Sequence, residues 1–181
     1  MRVPARLGRS VRGTLMPAIP LTALLAGCAA VAPSLTSAHR AAIVDSVHVM
    51  LGAWRDAFNA KDFERAATFY SSDSGFRWLE NGELKFRTAK QLGDTMKAEA
   101  PAFRSLDMSL IEPQITPMAP GVAEVTSSFA QRITDSSGET YGLTGAMTMT
   151  VVHGDSGWKF LIGHLSVVRP PADTARQAPR R

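Results

Sequence analysis

Apolar residues recur along the chain in two distinct periods. Ile43, Val47, Met50, Leu51, Trp54 and Phe58 fall at helical spacings, which predicts an amphipathic helix of about five turns. Asn59-Ala60-Lys61-Asp62 breaks that period. Asp62 is placed to N-cap a short second helix that buries Phe63, Ala66, Ala67 and Tyr70, the Tyr70 hydroxyl staying wet. After the turn cluster Ser71-Ser72-Asp73-Ser74-Gly75 come two short strands, Phe76–Glu80 and Glu83–Phe86, meeting at the hairpin signal Asn81-Gly82. Thr88-Ala89-Lys90-Gln91 reads as a capping box opening a third helix, with Leu92 and Met96 inside and Pro101 at its end.

The period then switches to two. Leu106, Met108 and Leu110 alternate with Asp107 and Ser109, predicting a half-buried strand that stops at the Pro113/Pro117/Pro120-Gly121 break. Strands over 122–134, 140–153 and 158–168 follow, separated by Asp135-Ser136-Ser137-Gly138 and Gly154-Asp155-Ser156-Gly157. Short turns between consecutive strands imply an antiparallel meander. With helices gathered in the first half, the class is α+β.

The two ends carry no such period. Residues 1–12 hold Arg2, Arg6, Arg9 and Arg12 and no acid, and an apolar stretch follows from Leu15 to Ala26, interrupted by Pro17 and Pro20. A basic region before a short apolar region is a secretory signal; about 20 apolar residues would be needed to span a membrane. Leu25-Ala26-Gly27-Cys28 resembles the bacterial lipobox, and Cys28 is the sole cysteine. Its thiol would take up a diacylglyceryl group and anchor the protein to a membrane surface. By resemblance to Gram-negative lipoproteins, Ala29 favours the periplasmic side of the outer membrane, a cell-envelope address. The expected organisation is therefore a signal peptide at 1–27, a tether at 28–38, one domain at 39–168 and a disordered, basic, Pro-rich tail at 169–181.

Charge looks different once it is divided this way. The whole chain of 181 residues is formally +4, which invites an anionic partner. The four leader arginines account for that excess, and the tail holds four Arg and one Asp. Residues 28–168 carry 12 Lys+Arg against 15 Asp+Glu. The domain is mildly acidic.

The order of elements resembles the cone-shaped NTF2-like (cystatin-like) fold, in particular its SnoaL-like and DUF4440-type branches. The residues that carry the resemblance are Trp54 with Phe58-Asn59-Ala60-Lys61-Asp62, Phe69-Tyr70-Ser71-Ser72-Asp73, Phe76 through Glu83, and Gly157-Trp158-Lys159-Phe160 leading to His164-Leu165-Ser166. The resemblance implies three helices packed in a curved, mostly antiparallel sheet with a pocket at the open end. It does not decide function, because that fold hosts isomerases, cyclases, hydratases and many non-enzymes. Aligned on ketosteroid isomerase, the tyrosine donor position falls at Trp54 and the base near Trp78. Neither indole can take its counterpart's role, so that isomerisation is disfavoured.

Strand parity nominates the remaining candidates. Trp158, Phe160, Ile162, His164 and Ser166 share one face of the last strand, and the resemblance brings that end near the cavity. His164 is then either a general base or a histidine bonded to a neighbouring element. In the strand at 122–134 the more apolar set Val125, Ser127, Phe129, Gln131 and Ile133 faces inward, with Gln131 as a polar contact. Met147 and Met149 read as core filler. Trp78 either lines the pocket mouth or packs on a helix, and Glu80 is placed to pair with Arg87 on an exposed face.

Other chemistries lack their residues. His39, His48, His153 and His164 show no metal-ligand spacing, and there is no Gly-x-Ser-x-Gly elbow and no glycine-rich phosphate loop. No cofactor is implied. Aromatic and basic residues are not interleaved, which disfavours nucleic acid as a partner. Three classes stay open: a lipoprotein domain binding a small apolar or amphipathic ligand through Trp54, Tyr70, Trp78, Gln131 and His164; an acid–base enzyme using His164; and a homodimeric interaction module.

Overall fold

A computed structural model describes residues 35–168. The expected signal peptide, Cys28 and the tail lie outside the described residues, as does residues 28–34 of the expected tether. Helix α1 spans Ser37–Asn59, and it begins before its apolar period does. Thr36 caps it by accepting a hydrogen bond from the His39 N–H at 3.2 Å. The first turn and a half is exposed, so burial leaves no mark on its sequence until Ile43. The tether therefore gives way to helix at Ser37.

Lys61, at φ 57°, reverses the chain into α2 (Phe63–Ala67), where the Asp62 carboxylate accepts from the Arg65 N–H at 3.0 Å. Strands β1 (Arg77–Glu80) and β2 (Glu83–Phe86) pair through Asn81 and Gly82, at φ 52° and 86°. Two successive left-handed residues form the turn that matches strand twist. Helix α3 spans Ala89–Glu99 and Pro101 sits in the 3₁₀ turn Ala100–Ala102 that ends it. Thr88 accepts from the Gln91 N–H, while Gln91 reaches back to the Arg87 N–H rather than to that of Thr88, so the capping box is shifted by one residue.

Four long strands complete the domain: β3 (Phe103–Ala119), β4 (Val122–Asp135), β5 (Thr140–Gly154) and β6 (Gly157–Val168). They form one six-stranded sheet in the order β2-β1-β6-β5-β4-β3, antiparallel except where β1 runs parallel to β6. Strand β3 does not stop at the prolines. It occupies the edge of the sheet, where a residue without an N–H is tolerated, and it absorbs Pro113 and Pro117 with register shifts between Ile111 and Gln114 and between Pro117 and Ala119.

Helix α1 lies against the inner face of this curved sheet. Val47, Leu51 and Trp54 of the helix meet Val125, Phe129, Met149, Val151 and Phe160 of the strands in one buried cluster. Asn59 fastens the helix end to the edge strand, donating to the Met108 carbonyl at 3.0 Å and accepting from its N–H at 2.7 Å. A smaller cluster of Ala57, Phe63, Ala66, Leu106 and Ile133 packs α2 beneath it.

Candidate functional site

The inner face of the sheet is not completely filled. A cavity of about 270 Å³ remains, bounded by α1, α3 and all six strands. That volume is near the lower end of the range for small-molecule sites, about 300–1,000 Å³. Its wall is apolar and aromatic, with Trp54 and Phe58 from α1, Trp78 from β1, Phe86 from β2 and Phe129 from β4. Met96, Met108 and Met147 add flexible thioethers. Polar atoms come from Tyr70, Glu80, Thr95, Glu99 and Gln131.

Tyr70 anchors the polar end. Its backbone follows α2 and forms an isolated parallel bridge to Phe160, with Ser71 donating to the Phe160 carbonyl at 2.8 Å. The residue is 5% exposed. Its hydroxyl oxygen accepts from the Trp54 Nε1–H at 3.1 Å, and among the described residues its own proton meets no acceptor. Burial raises the phenol far above its ordinary ionisation range; the Trp54 hydrogen bond pulls it back somewhat and the Glu80 charge pushes it up. Tyr70 is therefore a neutral phenol in the cavity lining, with a proton left to donate.

Glu80 is held beside it. The Trp78 Nε1–H donates to the Glu80 Oε1 at 3.2 Å, and the Trp78 ring stands edge-to-face on Tyr70, with centroids 5.4 Å apart at 86°. Trp78 has room to turn inward because its register partner on β6 is Gly163. A Cβ at that position would overlap the indole's six-membered ring. The expected pairing of Glu80 with Arg87 is absent among the described residues.

A SnoaL-like domain model matches residues 47–170, more than half of the chain. The chain belongs to the SnoaL-like domain family. No curated protein matches it. Solved structures share the fold of this SnoaL-like domain at low identity. A protein provisionally assigned as a scytalone dehydratase, from Novosphingobium aromaticivorans, superposes with TM-score 0.67 at 15% identity, covering 74% of this chain and 89% of its own. An NTF2-like superfamily protein from Salmonella enterica gives 0.62 at 12% identity over 77% and 99%. An uncharacterised cystatin-like protein from Caulobacter vibrioides gives 0.59 at 20% over 74% and 94%. At these identities the likeness shows an NTF2-like, cystatin-like fold and nothing finer.

The SnoaL-like domain brings Trp54, Tyr70, Trp78 and Gln131 to the walls of one cavity. Trp54 and Trp78, the indoles expected at and near the ketosteroid isomerase donor and base positions, both line the cavity. His164 is not with them. A register shift opposite Thr150 and Val151 places an extra residue, Leu161, in β6, so that Phe160 faces inward before it and Gly163, Leu165 and Val167 after it. A bulge reverses side-chain parity, and His164 lies exposed on the outer face, 3.4 Å from Ser166. Tyr70 also differs from expectation, being buried and bonded to Trp54 rather than wet. Glu80, Phe86, Thr95 and Glu99 join the cavity without having been marked by sequence periodicity; the one legible cue was Glu80 two residues from Trp78 on a strand, hence on its face.

Proposed function

We propose that this domain binds a small amphipathic molecule in the cavity, and that a lipid on Cys28 holds it at a membrane surface of the cell envelope. The observation that carries the binding reading is the Tyr70 hydroxyl, buried in an aromatic wall with a proton that no described acceptor takes. Burial of an uncommitted donor is costly, and a ligand oxygen in the cavity would satisfy it. The apolar body of such a ligand would replace water against Trp54, Phe86, Phe129 and the methionines, with Gln131 offering a further amide contact. The membrane reading rests on Leu25-Ala26-Gly27-Cys28 and the basic, then apolar, leader before it.

Methyl-labelled methionine NMR tests the binding reading. Ring-containing amphiphiles with an oxygen at one end should shift the Met96, Met108 and Met147 methyls and leave Met118, which is 61% exposed, unmoved. A panel that moves none of the three cavity methionines overturns it. For the anchor, Cys28→Ser should move the protein from the membrane fraction to the soluble one; retention of the variant in membranes overturns that part.

A further inference from the structure

The charged residues that line the cavity all have one sign. Its lining contains two carboxylates, Glu80 and Glu99, and no Lys, Arg or His. The nearby cations lie outside the lining and pair first with other acids: Lys85 bonds Glu83 at 2.7 Å and feels Glu80 only as a weaker, more distant charge, and Lys97 lies 3.3 Å from Glu64 and 3.5 Å from Asp94. Arg87, next to the lining residue Phe86 in sequence, is exposed and contributes nothing to the wall. Residues 28–168 carry 15 acids against 12 bases, so the surrounding field has the same sign as the cavity.

Aromatic rings complete the arrangement. The Tyr70 and Trp78 rings stand edge-to-face at 86°, and the Trp54 Nε1–H reaches the Tyr70 hydroxyl, so the three side chains meet at a corner of the cavity. A ring face attracts a cation through its quadrupole, most strongly where water is excluded. The Glu80 carboxylate is fixed at this corner by the Trp78 Nε1–H, leaving its other oxygen without a described partner.

We propose that the cavity is selective for an organic cation: a protonated amine on an apolar, ring-sized body, its ammonium against Glu80 and an oxygen of the ligand or a water at the Tyr70 hydroxyl. This rests on the reading of the cavity as a ligand site and names the charge of what enters it. A carboxylate ligand would meet the Glu80 carboxylate held at the corner, and the exposed Glu99 beyond it, with no cation in the lining to offset them. The selection is therefore both attraction of the cation and rejection of the anion.

Three probes of matched shape separate the possibilities: 1-naphthylmethylamine, 1-naphthalenemethanol and 1-naphthoic acid, titrated calorimetrically at pH 7 into the chain from residue 28 onward. The amine should bind at least about tenfold more tightly than the acid, with the alcohol between them. Glu80→Gln keeps an acceptor for the Trp78 Nε1–H, and it should erase most of the amine's advantage while leaving the alcohol's affinity within about twofold. Glu99→Gln, at an exposed position, should reduce the advantage less. Binding of the acid as tightly as the amine overturns the charge selection while the ligand cavity stands. Unchanged amine preference in Glu80→Gln also overturns it. Failure of all three probes to bind overturns the cavity reading together with the selection.

Discussion

The Trp54 indole and the Tyr70 hydroxyl are tied by a 3.1 Å hydrogen bond between two residues that are 3% and 5% exposed. That bond joins the C-terminal third of α1 to the segment after α2 and holds the phenol in place. Tyr70→Phe keeps the ring and leaves the buried Trp54 N–H without an acceptor, a loss of about 1–3 kcal/mol in urea unfolding. Trp54→Phe combined with Tyr70→Phe should cost less than the two single losses added, because the orphaned donor disappears. In the methionine NMR assay, Tyr70→Phe should weaken ligands that carry a terminal oxygen and spare their hydrocarbon counterparts.

The same burial makes stability fall at high pH. Tyrosine in the unfolded chain ionises near 10.0, and in the folded domain burial raises that value. Below pH 10 both states hold the proton and this residue gives no pH dependence. Above it the unfolded chain releases the proton while the folded domain keeps it, so stability declines by up to about 1.4 kcal/mol per pH unit. Thermal melts from pH 9 to 11 should show this slope in the parent and a shallower one in Tyr70→Phe. The other tyrosine, Tyr141, is 43% exposed and is present in both proteins. Equal slopes would mean that Tyr70 ionises alike in both states.

His164 gives the opposite expectation. Its ring is exposed on the outer sheet face, and its one side-chain hydrogen bond among the described residues is the 3.4 Å approach to Ser166. His164→Ala should change stability by less than about 0.5 kcal/mol, as surface changes away from special features do. It should also leave the affinity of every cavity ligand unaltered. A drop in affinity comparable to that of Tyr70→Phe would place the site on the outer face instead.

That histidine marks where periodicity stops being a guide. Local signals held wherever one residue type has one conformational use: Asp62 caps α2, Asn81-Gly82 makes the hairpin, and the inward set Val125, Ser127, Phe129, Gln131 and Ile133 faces the core. The parity rule failed at Leu161 because a bulge needs no special residue, and nothing in Lys159-Phe160-Leu161-Ile162 announces one. Pro113 and Pro117 looked like a strand end because a proline's meaning depends on whether its strand is central or at an edge, which is a property of sheet order. The parallel pairing of β1 with β6 is likewise a long-range fact, and it is what carries Trp78 and Glu80 into the cavity.

Gly163 is the position at which that pairing shapes the site. Its backbone does not require glycine for conformational reasons, since its φ is not in the left-handed region. The requirement is space: the Trp78 ring lies where a Cβ would stand. Gly163→Ala therefore cannot keep both the β1–β6 register and the inward rotamer of Trp78. The strand pairing is continuous on both sides of Gly163, from Ile162 to Leu165, so the indole is the part that yields. A swing of Trp78 takes its Nε1–H from Glu80 and alters the wall beside Tyr70. The expected cost is about 1–3 kcal/mol, typical of overpacking. Near-ultraviolet circular dichroism should show an altered tryptophan band with an unchanged far-ultraviolet spectrum. Affinity for cavity ligands should fall as well, although residue 163 is not itself among the lining residues. Trp78→Leu in the Gly163→Ala background should recover much of the lost stability without restoring binding, because it removes the clash and the aromatic wall together.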